Sequence, residues 1–198
     1  MQRNVLEYLE ETVKRVPDKI AFANDKTQLT FQQFSDDIRA IGSELIRKGY
    51  QKEPVLIYMN KSPEALEGFF GVIESGCFYV PLDEEMPKRR IELIIENTKA
   101  RVIICDQENL KRVKELPFDG EIMLHEELAK KREDKEKLDK VRRTALDTDP
   151  LYVLFTSGST GMPKGVVGHH RGVIDYIDQL SAVLDFDKES VFGNQAPL

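Results

Sequence analysis

One loop in the last quarter of the chain constrains the fold more than any other feature. The apolar segment Tyr152–Phe155 leads into a run of hydroxyl and glycine residues, Thr156–Lys164, and the apolar pair Val166–Val167 follows. A short apolar run that ends in such residues is typical of a buried strand followed by a tight loop. The sequence therefore predicts a strand–loop–strand unit, so the fold must hold a sheet that presents this loop.

The composition of the loop suits a polyphosphate. Its glycines lack a Cβ atom and let a ligand approach the backbone, whose successive N–H groups form a concave site for anions. Pro163 restricts the backbone just before the one lysine, and a lysine ammonium is well suited to a phosphate oxygen. The residues that we expect to contact phosphate are Thr156, Ser157, Gly158, Ser159, Thr160, Gly161 and Lys164.

Two other interpretations of this loop are disfavoured. A flexible Ser/Gly linker would not be flanked by two apolar segments. The P-loop of kinases and GTPases has glycine directly before its lysine and Ser or Thr directly after it. Pro163 and Gly165 occupy those places in this chain, so the P-loop pattern fails on both sides of Lys164.

The segment Thr156–Gly165 instead resembles the phosphate-loop signature of the adenylate-forming superfamily. That group includes acyl-CoA synthetases, luciferases and the amino-acid adenylation domains of nonribosomal peptide synthetases. The match runs on into the next segment, where His170 stands at the family's histidine position. Gly168 and His169 depart from the family pattern, which has an aliphatic residue and Glu, Ser or Thr there, and Gly168 is expected to weaken the second strand.

Three more segments resemble this family, in its order along the chain. They are Leu29–Phe34, Gly71–Asp83 with Pro87 and Arg90 behind it, and Gly193–Leu198. The second is similar to a motif of amino-acid adenylation domains and favours amino-acid over fatty-acid activation. The third is similar to the strand that leads into the substrate-binding motif, and is closest to D-alanine–carrier-protein ligases. The resemblance covers the chain from about residue 5 to its last residue.

The resemblance implies an ATP-dependent ligase. A substrate carboxylate, expected to be that of an amino acid, would attack the α-phosphorus of ATP, release pyrophosphate and then pass as an acyl group to the phosphopantetheine thiol of a carrier protein. Lys164 is the candidate for phosphate stabilisation, and Mg²⁺ would bind through the ATP phosphates with Thr160 as a candidate contact. His170 either approaches a ligand in the loop or faces solvent at the start of a helix.

The same resemblance implies the fold class. We expect an α/β fold, the N-terminal part of an adenylate-forming enzyme, with a largely parallel sheet flanked by helices. Residues 1–198 would be the N-terminal portion of the large AMP-binding domain, with a sub-boundary near 130–150. The C-terminal domain would be absent and the piece inactive alone. A non-catalytic interaction module and a nucleotide-binding regulatory module remain as alternatives.

Bulk properties exclude several classes. The formal net charge of −6 and the pI of about 5.3 disfavour a nucleic-acid partner. The sequence has neither a signal-peptide pattern nor an apolar run near the roughly 20 residues of a membrane span, so we expect a cytoplasmic protein without a membrane partner. Its two cysteines, Cys77 and Cys105, lie far apart in apolar runs, which predicts buried thiols rather than a metal or redox site.

Periodicity and end signals place the remaining elements. Helices are expected at Val5–Val16, Phe31–Lys48, 63–75, Pro87–Thr98, from His125 and at His170–Leu184, and strands at Ile20–Ala23, Val55–Met59, Phe78–Leu82, Arg101–Cys105 and Glu121–Leu124.

Single residues and one charged segment also carry expectations. The charged run Lys130–Arg143 is expected to be a solvated helix and linker, with a docking surface as the alternative. Asp83 either orients the loop or makes a strand-end turn. Structural or surface roles are expected of His125 and His169, and core positions of Tyr176, Phe186 and Phe192.

Overall fold

The computed structural model describes residues 2–156, 162–184, 186–187 and 189–196. In chain order its elements are α1 (Leu6–Arg15), β1 (Ile20–Ala23), β2 (Gln28–Thr30), α2 (Phe31–Arg47), β3 (Pro54–Tyr58), α3 (Pro63–Glu74), β4 (Phe78–Pro81), α4 (Lys88–Thr98), β5 (Val102–Cys105), α5 (Leu110–Lys114), β6 (Glu121–Leu124), α6 (His125–Leu128), α7 (Lys135–Thr144), β7 (Pro150–Thr156), β8 (Lys164–His169) and α8 (His170–Val183).

A six-stranded sheet in the order β6-β5-β3-β4-β7-β8 organises the molecule, and β1 and β2 form a separate antiparallel pair. Strands β6, β5, β3, β4 and β7 are parallel to one another in this order. Strand β8 runs antiparallel to β7. The loop that joins these two strands is too short for the crossover connection that a parallel pair requires. The prediction of a largely parallel sheet flanked by helices is confirmed.

The central strands β3 and β5 are buried on both faces, as is typical of parallel strands covered by helices. One core lies between the sheet and helices α2 and α3, and it includes Ile57, Val72 and Ile104. The other lies beneath α4, and it includes Leu56, Ile94 and Ile103. Adjacent residues of β5 therefore belong to opposite cores, because side chains alternate along a strand.

Helix α2 begins and ends where its sequence predicts. The Thr30 hydroxyl accepts a hydrogen bond from the Gln33 N–H while the Gln33 side chain accepts one from the Thr30 N–H, and this reciprocal pair closes the first turn. Past the other end, Gly49 has a φ of +85°, a left-handed conformation that glycine adopts without strain. The predicted apolar stripe is buried: Phe34, Ile38, Ile41 and Leu45.

Helix α3 packs unusually close to α2. It begins at Pro63, as predicted, and the Ser62 side chain caps it by accepting from the Ala65 N–H. A Cβ atom added to Gly71 would lie 2.5 Å from Cγ2 of Ile41, whereas one added to Gly68 would lie in ordinary contact, 3.5 Å from the Met59 sulfur. Gly71 therefore permits the close approach of the two helices, while Gly68 faces the sheet without such a constraint.

A buried polar cluster joins α2, α3 and α6. Nε2 of His125 lies 2.8 Å from Oε2 of Glu67, and both side chains are almost fully enclosed. Burial, and next the adjacent Glu67 carboxylate, raise the pKa of Asp37 to about 7. His125 is therefore a structural residue, as expected. His169 is also structural, since its Nδ1 accepts from the Gly172 N–H at 3.0 Å and caps α8.

The charged run after α6 holds a helix with one buried face. Helix α7 occupies Lys135–Thr144, and Leu138 is its buried residue. Arg142 reaches Oε2 of Glu74 at 3.4 Å and Oε1 of Glu10 at 3.1 Å. A solvated helix is confirmed, although Arg142 is drawn inward. The short elements β2 and α5 were not predicted, because three to five residues carry too little periodicity to be recognised.

The expectation that three aromatic residues lie in the core is wrong. Tyr176, Phe186 and Phe192 are all exposed, and the last two contact each other edge to face at 4.7 Å between ring centroids. Helix α8 turns His170 and Ile174 inward. Within the described part of the chain no helix or strand covers its opposite side, so aromatic character alone did not determine burial there.

Candidate functional site

The candidate site lies at the carboxyl edge of the parallel sheet. Chain segments that follow parallel strands all emerge at one edge, and open α/β sheets bind ligands there. In this chain they bring together Asn60 and Lys61 after β3, Asp83 after β4, Asp106 after β5 and Thr156 at the end of β7. The strand–loop–strand unit recognised in the sequence thus opens onto the edge where ligand binding is expected.

The two ends of the phosphate loop are adjacent. Thr156 and Lys164 are paired across the β7–β8 hairpin, and the Thr156 hydroxyl donates to the Lys164 carbonyl oxygen at 3.5 Å. Both side chains are exposed, whereas Pro163 is buried and fixes the backbone before the lysine. The other predicted contacts, Ser157, Gly158, Ser159, Thr160 and Gly161, lie outside the described residues.

A hydrogen-bonded group of polar residues connects the segments after β3 and β5. The Asn60 N–H donates to Oδ2 of Asp106 at 3.0 Å, and Nδ2 of Asn109 donates to Oδ1 of Asn60 at 2.6 Å. This group was not predicted from the sequence; its signal is an Asn or Asp just after each of two buried strands. It ties the segments after β3 and β5 together at the carboxyl edge of the sheet.

Lys61 holds the segment that follows α8. Its ammonium donates to the carbonyl oxygens of Asn194 at 2.7 Å and Ala196 at 2.5 Å. The expected strand at Gly193–Leu198 is absent over 193–196, and Pro197 and Leu198 lie outside the described residues. A lysine rather than a neighbouring strand takes these carbonyl groups, so residues 193–196 do not belong to the sheet.

His170 is buried at the other end of β8 from the loop. Its Nδ1 accepts a hydrogen bond from the Val5 N–H at 3.3 Å, and the residue is only 4% exposed. The solvent-facing alternative is therefore wrong. Six residues of strand separate it from Lys164, about 20 Å, so the structure does not bring the two together. Burial, and next the positive charge of Arg142, lower the pKa of His170 to about 4, so the imidazole is neutral at pH 7.

Two further features behave as structural groups. The Asp83 carboxylate accepts from the Glu85 N–H at 2.8 Å, which is the strand-end turn that the sequence offered as one alternative. Cys77 and Cys105 are free and buried, as expected, and burial raises the pKa of the Cys105 thiol to about 12. Among the residues that the structure describes, three or more His, Cys, Asp or Glu side chains do not gather in a metal-binding arrangement. Over the same described ranges, the helices lack the length and apolar character needed to cross a membrane.

Gly168, one of the two departures from the family pattern, has a packing reason. A Cβ atom at this position would lie 2.3 Å from Cζ of Tyr152 on the paired strand. Strand β8 continues through Gly168 to His169, so the expected weakening does not shorten it. The absent side chain makes room for the Tyr152 ring, which lies beside Tyr79 with 5.9 Å between centroids.

Comparison with known proteins decides the family. A sequence profile described as "AMP-binding enzyme" matches residues 9–198, nearly the whole chain. The chain belongs to the AMP-binding enzyme family. The resemblance to adenylate-forming enzymes, which rested on the phosphate loop and three shorter segments, is thereby confirmed.

Relatives of this AMP-binding chain include large synthases. Gramicidin S synthase 2 of Brevibacillus brevis is 33% identical over 175 residues, which are 88% of this chain and 4% of that protein. Tyrocidine synthase 1 of Brevibacillus parabrevis is 24% identical over 198 residues, 98% of this chain and 18% of that protein. The AMP-binding chain thus spans less than a fifth of the length of these two relatives.

Solved structures share the fold. VinN superposes with a TM-score of 0.78 at 20% identity, covering 94% of the AMP-binding chain and 51% of VinN. A nonribosomal peptide synthetase, FmoA3, in an α-methyl-L-serine-AMP bound form, gives a TM-score of 0.79 at 22% identity, over 90% of this chain and 19% of that one. At these identities the likeness establishes the α/β architecture.

Proposed function

We propose that this chain binds ATP at its carboxyl edge and takes part in activating an amino-acid carboxylate as an acyl-adenylate. One observation carries the proposal: Thr156 and Lys164 are paired at the mouth of the glycine-rich loop, in a chain of the AMP-binding enzyme family. Both are exposed at the edge where open α/β sheets bind ligands. The names of the synthase relatives and the aminoacyl-AMP bound to FmoA3 support an amino acid as the substrate class.

The chemistry asks the protein mainly for positioning and for charge stabilisation. A carboxylate oxygen of the substrate forms a bond to the α-phosphorus of ATP, the bond from that phosphorus to the β-phosphate oxygen breaks, and pyrophosphate leaves with the electron pair. Negative charge accumulates on the leaving group, and a fixed ammonium beside it stabilises that charge. Lys164 is the group of this chain that we assign to this role. The loop backbone from Ser157 to Gly161 would bind the same phosphates.

Mg²⁺ fits the proposal as a partner of the phosphates rather than of an acidic cluster. Within the described ranges the carboxylates do not form a three-ligand site. Mg²⁺ commonly binds through substrate phosphates and one or two protein oxygens, and it neutralises phosphate charge. Thr160, outside the described residues, is the hydroxyl that we propose for that contact.

We further propose that the activated acyl group passes to the phosphopantetheine thiol of a carrier protein. The thiol sulfur would attack the acyl carbon, and AMP would leave. The support is the family membership together with the likeness to two synthases and to a nonribosomal peptide synthetase.

Pyrophosphate exchange tests the proposal. The complete protein should incorporate labelled pyrophosphate into ATP in the presence of one of the proteinogenic amino acids. Lys164→Ala should lower that rate by roughly 100-fold or more, the usual effect of removing a group that stabilises transition-state charge. Lys111→Ala, an exposed lysine on α5, is the matched control and should leave the rate unchanged.

Each alternative has its own outcome. Saturable ATP binding that Lys164→Ala abolishes, without exchange for any amino acid, would indicate a regulatory nucleotide-binding module. Absence of both binding and exchange would indicate an interaction module. Full activity of Lys164→Ala would overturn the role assigned to this lysine.

A further inference from the structure

The end of β7 extends beyond the neighbouring strand on one side. Strands β4 and β7 are paired in parallel through Tyr79 and Tyr152. Strand β4 ends at Pro81, two residues further, which this register places opposite Leu154. Phe155 and Thr156 therefore continue past β4 with only β8 as a neighbouring strand, where they pair with Gly165 and Lys164. The residues that lead into the phosphate loop therefore need another hydrogen-bonding partner on the side where β4 has ended.

Arg90 supplies that hydrogen bond. Its Nη2 donates to the carbonyl oxygen of Phe155 at 2.8 Å, across 65 residues of sequence. This carbonyl belongs to the residue directly before Thr156. A guanidinium is always charged, so the bond is a charge-assisted one, stronger than an ordinary hydrogen bond to a backbone carbonyl.

The helix that carries Arg90 is rigidly seated. Helix α4 buries Ile91, Ile94 and Ile95 in the core beneath the sheet, and the Phe155 ring packs against the same core. Arg90 lies in the first turn, directly before the first of these buried residues. Its hydrogen bond therefore fixes the end of β7 relative to a packed helix.

Stability alone does not account for an arginine here. The side chain is half-buried, and in the part of the chain that the structure describes its Nε is enclosed without a hydrogen-bond partner. Enclosing a charged group with an unsatisfied donor is unfavourable for folding. The neighbouring Arg89 is exposed and pairs with Glu92, one turn along the same helix.

We infer that Arg90 is a positioning residue for the phosphate loop, which it fixes by holding the Phe155 carbonyl. This inference rests on the proposed function of that loop. Arg90 is not assigned a contact with the nucleotide. Its effect passes through the backbone to Thr156 and Lys164, whose hydroxyl and ammonium must face the phosphates together.

Hydrogen exchange of the complete protein without nucleotide tests the contact itself. Arg90→Ala should speed exchange of the amides in 153–156 and 164–166 by roughly tenfold, as expected when a charged hydrogen bond that closes a segment is lost. The amides of β3 and β5 should be unchanged. Arg89→Ala is the matched control on the same helix and should leave both groups of amides as in the wild type.

Steady-state kinetics test the consequence. Arg90→Ala should raise the KM for ATP or lower kcat by roughly 10-fold to 100-fold, the range expected for a misplaced catalytic group, while the KM for the amino acid stays within a factor of two. Arg90→Lys, which keeps a cationic donor, should recover part of the loss in both measurements.

The two measurements separate this inference from the proposed function. Wild-type exchange rates at 153–156 in Arg90→Ala would overturn the inference, as would faster exchange throughout the sheet, which a merely structural role predicts. Equal increases in the KM for ATP and in the KM for the amino acid would also overturn it. If the wild type catalyses no pyrophosphate exchange, the proposed function fails, and hydrogen exchange still decides whether Arg90 holds the end of β7.

Discussion

Strands β5 and β8 have similar apolar residues and opposite surroundings. All four residues of β5, Val102–Cys105, are fully buried. Val166 and Val167 of β8 are adjacent, so they point to opposite faces of the sheet, and each is more than half exposed. Strand β5 lies inside the sheet with helices on both faces, whereas β8 is its last strand. Position in the sheet, rather than composition, decides whether a valine is buried in this fold.

The contrast between β5 and β8 distinguishes a packed scaffold from the hairpin that the scaffold positions. The parallel strands β3 to β6, with their helices, form the packed part of the chain and fix the carboxyl edge. The β7–β8 hairpin carries the phosphate loop and is packed less completely. Catalytic and binding residues are commonly found on loops that a rigid scaffold positions. In this chain the hairpin meets the scaffold near both of its ends, through Arg90 at the loop end and His170 at the base.

The largest expected difference comes from one substitution made in each region. Val102→Ala removes two buried methyl groups and should lower the free energy of unfolding by roughly 2 to 3 kcal/mol. Val167→Ala makes the same change at an exposed site and should cost less than about 0.5 kcal/mol. Urea unfolding followed by circular dichroism measures both. Equal losses would break the comparison, because Val167 would then be as enclosed as Val102.

A second pair of substitutions tests how tightly the scaffold is packed. Gly71→Ala places a methyl group against Ile41 and should destabilise the chain by roughly 1 to 3 kcal/mol, since well-packed helices cannot separate without loss. Gly68→Ala on the same helix has room, and should be neutral or stabilising by up to about 1 kcal/mol because alanine favours a helix. Thermal unfolding of the two variants compares them. A stabilising Gly71→Ala would mean that α2 and α3 are further apart than described.

The third prediction concerns the base of the hairpin and depends on pH. The unfolded chain protonates His170 near pH 6.5, while the folded chain does so only near 4, so acid favours the unfolded state through this window. This group should lower the free energy of unfolding by about 1 to 2 kcal/mol between pH 6.5 and 5. His170→Asn should remove that loss. His169→Asn, at the exposed cap, is the matched control and should retain it.

Asp37 in the scaffold has the opposite pH dependence. Its folded carboxyl keeps a proton up to about pH 7, whereas the unfolded one loses it near 3.8, so this contribution to stability is present in acid and is lost as the pH rises toward 7. The pH profile of the wild type therefore contains these two opposed effects among its contributions. Subtracting the His170→Asn profile isolates the histidine, and an unchanged profile in that variant would refute its assignment.

Sequence patterns predicted the long elements and the strand–loop–strand unit that carries the candidate site. Twelve or more residues with a helical stripe, as in α2 and α3, specify a helix and its buried face together, because the same apolar spacing determines both. The phosphate loop was recognisable because its glycine, hydroxyl and lysine residues are consecutive. The contacts of Lys61 and Arg90 were not recognisable in the sequence, because each joins residues separated by 65 or more positions.

By itself the sequence determined the α/β class, the parallel strands with their helices, and a pair of strands joined by a glycine-rich loop. Only the tertiary structure decided burial where the sequence gives residues the same apolar character: Val102 is buried and Val167 exposed although both are valines, and Tyr176 and Phe192 are exposed despite their aromatic rings. The physical reason is the distance along the sequence over which each interaction acts. Backbone preference and periodicity act between near neighbours in sequence, whereas burial, the neutral His170 and the bond from Arg90 to Phe155 depend on which distant segments pack together.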